Sequence, residues 1–173
     1  LELPDGRQLL MYTGVPTKRK EDGTKQSYQT QCLAVGDGEN YTKLEMNPVL
    51  GQKDVPEGFS HHDFRDPKIF WNAGVGKWNL VLAAGNEVRF YSSTDLRAWS
   101  FESAFGREFG SHAGVWECPD LVCLPVRGTD TERWLLIVNI GRPRVPLRVG
   151  SRQGEVDGLW PGPLCHRDVQ RLS

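Results

Sequence analysis

Short apolar runs recur along most of this chain, separated by clusters of residues that turn the backbone. Seven runs have the length of a β-strand: residues 9–12, 29–35, 67–71, 78–83, 87–92, 121–124 and 134–140. Turn signals such as Pro4-Asp5-Gly6, Glu21-Asp22-Gly23 and Gly36-Asp37-Gly38 lie between them. No stretch competes as a helix. Because strand-length runs bounded by turn residues are typical of antiparallel sheets, the pattern predicts an all-β fold.

Composition narrows the class of partner. A formal net charge of −1 gives no reason to expect binding to nucleic acid or to an anionic membrane surface. No apolar run approaches the ~20 residues that cross a bilayer. Neutral substrates therefore fit best, and no cofactor or metal is expected. Extracellular and cytoplasmic locations are both compatible with the sequence.

Four cysteines are too few for a disulfide scaffold and lack zinc-type spacing. The sequence therefore predicts that all of them are buried thiols: Cys32, Cys118, Cys123 and Cys165.

A weak internal repeat favours a β-propeller. Asp37 and Asp95 lie 58 positions apart, and each is followed four residues later by an aromatic residue, Tyr41 or Trp99. Periods of this size are typical of propellers, in which each four-stranded sheet forms one blade. Residues 67–101 are interpreted as one blade, the chain before them as much of another, and residues 119–140 as the start of a third. The prediction is two to two and a half blades of four-stranded antiparallel sheet.

Residues 141–173 differ in composition from the rest, with six Arg, three acidic residues and several Pro and Gly. One interpretation is an irregular surface tail. The other is that the reading frame of the gene departs from the propeller sequence near Gly141, which sequencing of the coding DNA would decide. The domain prediction is thus a partial propeller over residues 1–140, followed by this segment.

Two short segments combine acidic, aromatic and proline residues: Phe64-Arg65-Asp66-Pro67 and Trp116-Glu117-Cys118-Pro119-Asp120. Glycoside hydrolysis generally uses two carboxylates across the scissile bond. Glu117 suits the acid/base role, because apolar neighbours favour the protonated form. Asp66 beside Arg65 should stay ionised and could accept hydrogen bonds from vicinal sugar hydroxyls. Asp before Pro is also a common turn starter, so a structural role stays open.

At these two segments the chain resembles glycoside hydrolase family 32, the family of invertases, inulinases and levanases. The segments are similar to its Arg-Asp-Pro and Glu-Cys-Pro motifs, and residues 90–99 resemble its recurring blade segment. The resemblance covers residues 1 to about 140 and implies a five-bladed β-propeller. It implies that Glu117 is the acid/base catalyst and Asp66 the transition-state stabiliser, that Arg65 assists the pocket and that Cys118 tunes Glu117. The family's nucleophile, an Asp in an Asn-Asp-Pro-Asn motif, has no counterpart here.

The function implied by the resemblance is hydrolysis of β-D-fructofuranosidic bonds in sucrose or fructans with retention of configuration. Transfer of fructose to another sugar stays open, and the 173-residue chain alone is expected to be inactive. Two alternatives are a related hydrolase of arabinose- or xylose-containing polymers and a catalytically silent sugar-binding propeller.

Trp116 is the candidate platform for stacking on the sugar. His61-His62-Asp63 is interpreted as loop and not as a metal site, because adjacent residues of an extended chain point in opposite directions.

Overall fold

A computed structural model of the protein describes residues 1–141, so most of the segment predicted to differ, residues 142–173, lies outside the described residues. The described part is almost entirely β-structure, with one short 3-10 helix at Gln52–Asp54. Within it, no helix is long and apolar enough to span a membrane. The strands are β1 (Gln8–Gly14), β2 (Thr17–Arg19), β3 (Lys25–Ser27), β4 (Thr30–Gly36), β5 (Tyr41–Lys43), β6 (Phe64–Asn72), β7 (Lys77–Ala84), β8 (Glu87–Ser93), β9 (Ser100–Phe105), β10 (Trp116–Pro125) and β11 (Glu132–Ile140).

The strands form successive antiparallel sheets in chain order. The first sheet has the order β1-β4-β5, with the hairpin β2-β3 beside it in sequence. The second sheet contains the four strands β6-β7-β8-β9, and the third contains β10 and β11. The four-stranded sheet confirms the predicted blade at residues 67–101, extended by a few residues at each end. The all-β prediction is confirmed as well.

The second sheet is buried on both faces because it lies between the other two. Strand β7 shows this by alternation, since successive side chains of a strand point to opposite faces. Leu80 and Leu82 pack with Leu50 and Phe64 in one cluster. Val81 packs on the other face with a second cluster, which contains Val88, Phe90, Trp116 and Leu121. Sheets stacked face to face in this way are what neighbouring propeller blades require.

Four strands carry too little apolar pattern to be predicted. Strands β2, β3 and β5 have three residues each. Strands β2 and β5 are exposed, β3 has one exposed and two half-buried residues, and β9 begins with three exposed residues. Their backbone hydrogen bonds, and not side-chain burial, place them in sheets. In β2, Lys18 and Arg19 pair with β3, and both side chains are exposed.

The prediction that the cysteines are buried thiols is wrong. Cys118 is an exposed free thiol and Cys32 is only half-buried. Cys123 is disulfide-bonded. Cys165 lies outside the described residues.

Two glycines allow the loop before β10 to close over the indole ring of Trp116. A Cβ added at Gly106 would lie 2.6 Å from the ring, and one added at Gly110 would lie 2.8 Å from it. Both glycines have positive φ, a conformation that side chains with a Cβ rarely adopt. Trp116 is only 4% exposed, and its indole N–H donates to the carbonyl of Ser111 at 2.8 Å. The ring is therefore part of the core.

Comparing Gly110→Ala with Gly128→Ala separates two costs in folding free energy. One is the clash of a new Cβ with Trp116, and the other is the positive φ of the backbone. Gly110 and Gly128 have nearly the same φ, 81° and 79°, but nothing lies within 4 Å of a Cβ at Gly128. We expect Gly128→Ala to lower the free energy of unfolding by about 1–2 kcal/mol. Gly110→Ala should lower it by a further ~1–3 kcal/mol, because Trp116 must shift. Urea unfolding followed by circular dichroism measures both, and equal losses would contradict this packing.

Candidate active site

The two acidic segments fold into the same local structure, a β-bulge at the start of a strand. Arg65 and Lys68 are three positions apart on β6, whereas their partners on β7, Ala83 and Val81, are two positions apart. The pairing of β10 with β11 shifts in the same way between Glu117 and Asp120. Each strand thus carries one extra residue, which bends the strand and re-aims its side chains. This irregularity explains why the apolar pattern located both strands several residues too late.

Each bulge contains a residue with positive φ followed by proline. Asp66 has φ of 60° and Cys118 has φ of 48°. Pro67 and Pro119 follow them and have no N–H, so neither bulge leaves a proline donor unpaired. A non-glycine residue at positive φ costs on the order of 1–3 kcal/mol and persists only where its surroundings hold it. In this chain the surroundings that hold Asp66 come from both neighbouring sheets.

The carboxylate of Asp66 joins the second sheet to the third. Its Oδ2 accepts a hydrogen bond from the backbone N–H of Cys118 at 2.8 Å. The Nε of Arg65 lies 3.8 Å from the same oxygen. The side chain is 29% exposed. The contacts of Oδ2 therefore hold the Asp66 carboxylate against the start of β10.

Arg65 is the second link between the two sheets. Its Nη2 donates to Oε1 of Glu117 at 2.9 Å, and its Nη1 donates to Oδ1 of Asp63 at 2.8 Å. Nη1 also donates to the carbonyl of His62 at 2.5 Å. Burial opposes the charge on this guanidinium, but the hydrogen bonds to Asp63 and Glu117 outweigh burial and raise the pKa of Arg65. The side chain, 17% exposed, is a fixed positive charge among carboxylates.

The surroundings of Glu117 differ from those expected from its neighbours in sequence. Trp116 turns into the core on one side of β10, whereas the Glu117 side chain is 37% exposed and pairs with Arg65. The predicted apolar environment is therefore wrong, because side chains alternate across a strand. A Cβ at Gly141 would lie 3.4 Å from the carboxylate, so the end of β11 also borders it.

The burial of Trp116 also overturns its predicted role. Its ring is covered by the 106–110 loop, and the ring of His112 stacks beside it with centroids 6.1 Å apart. A buried ring cannot stack on a sugar, so the structure gives Trp116 a packing role below the site.

The thiol of Cys118 lies beside the same two carboxylates. Partial desolvation and the negative charges of Asp66 and Glu117 raise its pKa, while a hydrogen bond involving Asn139 acts in the opposite direction. The thiol is therefore protonated near neutral pH. Asp66 thus interacts with Cys118 in two ways. Its carboxylate accepts the Cys118 backbone N–H, and its negative charge raises the pKa of the thiol.

Sequence reasoning missed several residues that complete the site. Asp63 lies in the loop before β6, as predicted, and its carboxylate pairs with Arg65. Lys68 and Asp120 directly follow the prolines of the two bulges. They form a further ion pair across the sheets at 2.9 Å. Their position beside the two motifs was the available signal, because like positions on neighbouring blades lie side by side.

Other features of the described residues do not join this cluster. His61 faces the ring of Tyr28 edge-on, and His62 is exposed. No group of three or more His, Cys, Asp or Glu side chains in residues 1–141 could hold a metal ion. A cavity of about 460 Å³ lies against the first sheet, between Tyr12, Thr30, Cys32, Lys43 and Asn47, and does not include Asp66 or Glu117.

Comparison with known proteins places the chain in a protein family. The model of the glycosyl hydrolases family 32 N-terminal domain matches residues 2–162. The chain belongs to glycosyl hydrolase family 32. The match takes in every described residue of this family 32 chain except Leu1 and continues to residue 162.

Relatives and solved structures agree on the family. A levanase of Bacillus subtilis (strain 168) is 39% identical over 142 residues, covering 78% of the chain and 20% of the levanase. The crystal structure of an exo-inulinase from Aspergillus awamori superposes with a TM-score of 0.67 and 28% identity, over 78% of this chain and 28% of that one. A fructofuranosidase from Schwanniomyces occidentalis, solved with fructose, gives a TM-score of 0.59 and 27% identity, over 76% of this chain and 24% of that one.

These comparisons confirm the family 32 resemblance and the prediction of an incomplete five-bladed β-propeller. The chain spans about a fifth of the length of the levanase and about a quarter of the solved relatives.

Asp66→Asn should make Cys118 more reactive. The substitution removes the negative charge that helps to raise the Cys118 pKa and keeps an oxygen that can accept the Cys118 N–H. We expect the pH profile of alkylation by iodoacetamide to move to lower pH at Cys118, because the thiolate is the reactive form. Mass spectrometry of the labelled peptides measures the rate, with Cys32 as the internal control. An unchanged profile at Cys118 would show that Asp66 does not act on the thiol.

Proposed function

We propose that the complete protein containing this chain hydrolyses β-D-fructofuranosidic bonds of fructans or sucrose and retains the configuration at the anomeric carbon. The observation that carries the proposal is the convergence of Asp66, Arg65 and Glu117 within 2.9–3.8 Å contacts across two sheets. Family 32 membership supports it, as do the levanase, exo-inulinase and fructofuranosidase among the relatives.

Glu117 is assigned the acid/base role. As an acid it gives its proton to the leaving oxygen while a nucleophilic carboxylate bonds to the anomeric carbon. As a base it then takes a proton from water, and the hydroxide releases fructose from the covalent intermediate. Arg65 assists the first half of this cycle, because a guanidinium 2.9 Å from Oε1 stabilises the carboxylate left after proton donation.

Asp66 is assigned the role of holding the fructosyl ring. Its Oδ2 is fixed by the Cys118 N–H, so we assign to Oδ1 the role of accepting hydrogen bonds from ring hydroxyls in one orientation. Hydrogen bonds of this kind that strengthen in the transition state contribute several kcal/mol in glycosidases. Cys118 acts through its backbone on Asp66, and its exposed thiol lies at the edge of the same site.

No Asn-Asp-Pro segment occurs in the 173 residues, so the proposed nucleophile is an Asp elsewhere in the complete protein. Substrates are proposed from the same comparisons: sucrose, levan or inulin. Family 32 membership does not favour a hydrolase of arabinose- or xylose-containing polymers.

Glu117→Gln tests the assignment in the complete protein encoded by the gene. We expect release of fructose from levan, inulin or sucrose to fall by about 10²–10⁴-fold, because glutamine can neither donate nor accept the proton. The matched control is Glu108→Gln, at an exposed position of the loop before β10, which should retain wild-type activity. Reducing-sugar assays and chromatography of the products measure both.

The possible results separate the alternatives. Wild-type protein that binds fructans without cleaving them is a sugar-binding propeller, and release of arabinose identifies the other hydrolase. Full activity in the Glu117→Gln variant overturns its acid/base role.

A further inference from the structure

The start of β6 is held on the side away from β7 by polar side chains and not by another strand. Strand β6 is the outermost strand of its sheet among the described residues, and it contacts β1 and β4 as well as β10. Its first backbone groups therefore need partners other than a neighbouring strand of the same sheet. Three side chains from the first part of the chain supply them: Thr13, Gln29 and Gln31.

Each of the three binds a different backbone group. Oε1 of Gln29 accepts the N–H of Phe64 at 3.1 Å, and Nε2 of Gln31 donates to the carbonyl of Phe64 at 2.7 Å. The hydroxyl of Thr13 accepts the N–H of Asp66 at 3.0 Å. These contacts imitate the ladder that an adjacent strand would make. We call the three side chains the β6 bracket.

The bracket is itself fixed in place. The Thr13 hydroxyl donates to Oε1 of Gln31 at 3.0 Å, so it both donates and accepts and its orientation is determined. Gln31 is completely buried, and both polar atoms of its amide are satisfied. Removing one partner from a buried network leaves another group unpaired, which is costly where water cannot replace it.

Resting on the proposed function, we propose that the β6 bracket positions the catalytic machinery and that Thr13 is its decisive member. Asp66 occupies an unfavourable φ, and its N–H is at the bulge, where the ladder with β7 is interrupted. Thr13 holds the backbone of Asp66 from the first sheet, and Cys118 holds its carboxylate from the third. Asp66 is thereby fixed at both ends, through its backbone to the first sheet and through its carboxylate to the third.

The hydroxyl of Thr13 is tested by Thr13→Val, which keeps the shape of the side chain, and Thr13→Ser, which keeps the hydroxyl. In the complete protein, we expect kcat on the cleaved substrate to fall about ten- to a hundred-fold in Thr13→Val, because displacements near 1 Å have effects of that size, with KM changing much less. Thr13→Ser should recover most of the loss. Thr17→Val, the same change at an exposed position of β2, should behave as wild type.

Rates are normalised to the folded fraction from urea unfolding, so that instability is not mistaken for misplacement. If Thr13→Val is poorly folded, Gln29→Met replaces it, since Gln29 is only half-buried and its loss releases the N–H of Phe64. Wild-type kcat in folded Thr13→Val, or an equal loss in Thr13→Ser, overturns the positioning role. Wild-type protein that cleaves no fructoside defeats the proposed function instead, before any variant is compared.

Discussion

The hydrogen bond from the Cys118 N–H to the Asp66 carboxylate is the contact on which the arrangement of the site depends. It joins two strands, β6 and β10, that share no backbone ladder, and it does so at the two residues whose φ is positive. The proline after each residue removes a donor that the bulge would otherwise leave unpaired. The Arg65–Glu117 ion pair then forms beside it, between the residues that precede the two bulges. Equivalent local structures on neighbouring sheets thus place three polar side chains together.

The second sheet is apolar in its middle strands and polar at the start of β6. The middle strands are buried on both faces and supply hydrophobic stabilisation, about 1.5–3 kcal/mol for each fully buried Leu or Val. The start of β6 instead contains Arg65 and Asp66, which the core could not satisfy. Their partners are groups of the loop directly before β6 and polar groups from the adjoining parts of the chain, including the β6 bracket. A rigid apolar core therefore supports a polar site at its edge, and the site is assembled only when the sheets are packed.

The sequence predicted the buried strands and the two acidic segments but not how they are held. Strands β7 and β8 were located within one residue at each end. The continuous apolar run in β7 reflects its burial on both faces. Strand β10 was located five residues late, because Pro119 and its bulge interrupt the pattern. Trp116 could not be assigned correctly from its position beside Glu117, since alternation along the strand sends the two side chains in opposite directions. The β6 bracket could not be predicted either, because Thr13, Gln29 and Gln31 are ordinary polar residues until the first sheet packs against β6.

A crystal structure of the complete protein as the Glu117→Gln variant, soaked with a short fructan, tests this site most directly. We expect a fructosyl ring whose hydroxyls lie within hydrogen-bond distance of Oδ1 of Asp66. The side chain at position 117 should lie beside the glycosidic oxygen, and Oδ2 of Asp66 should still accept the Cys118 N–H. A fructosyl ring bound elsewhere, with Asp66 in contact only with protein groups, would contradict it.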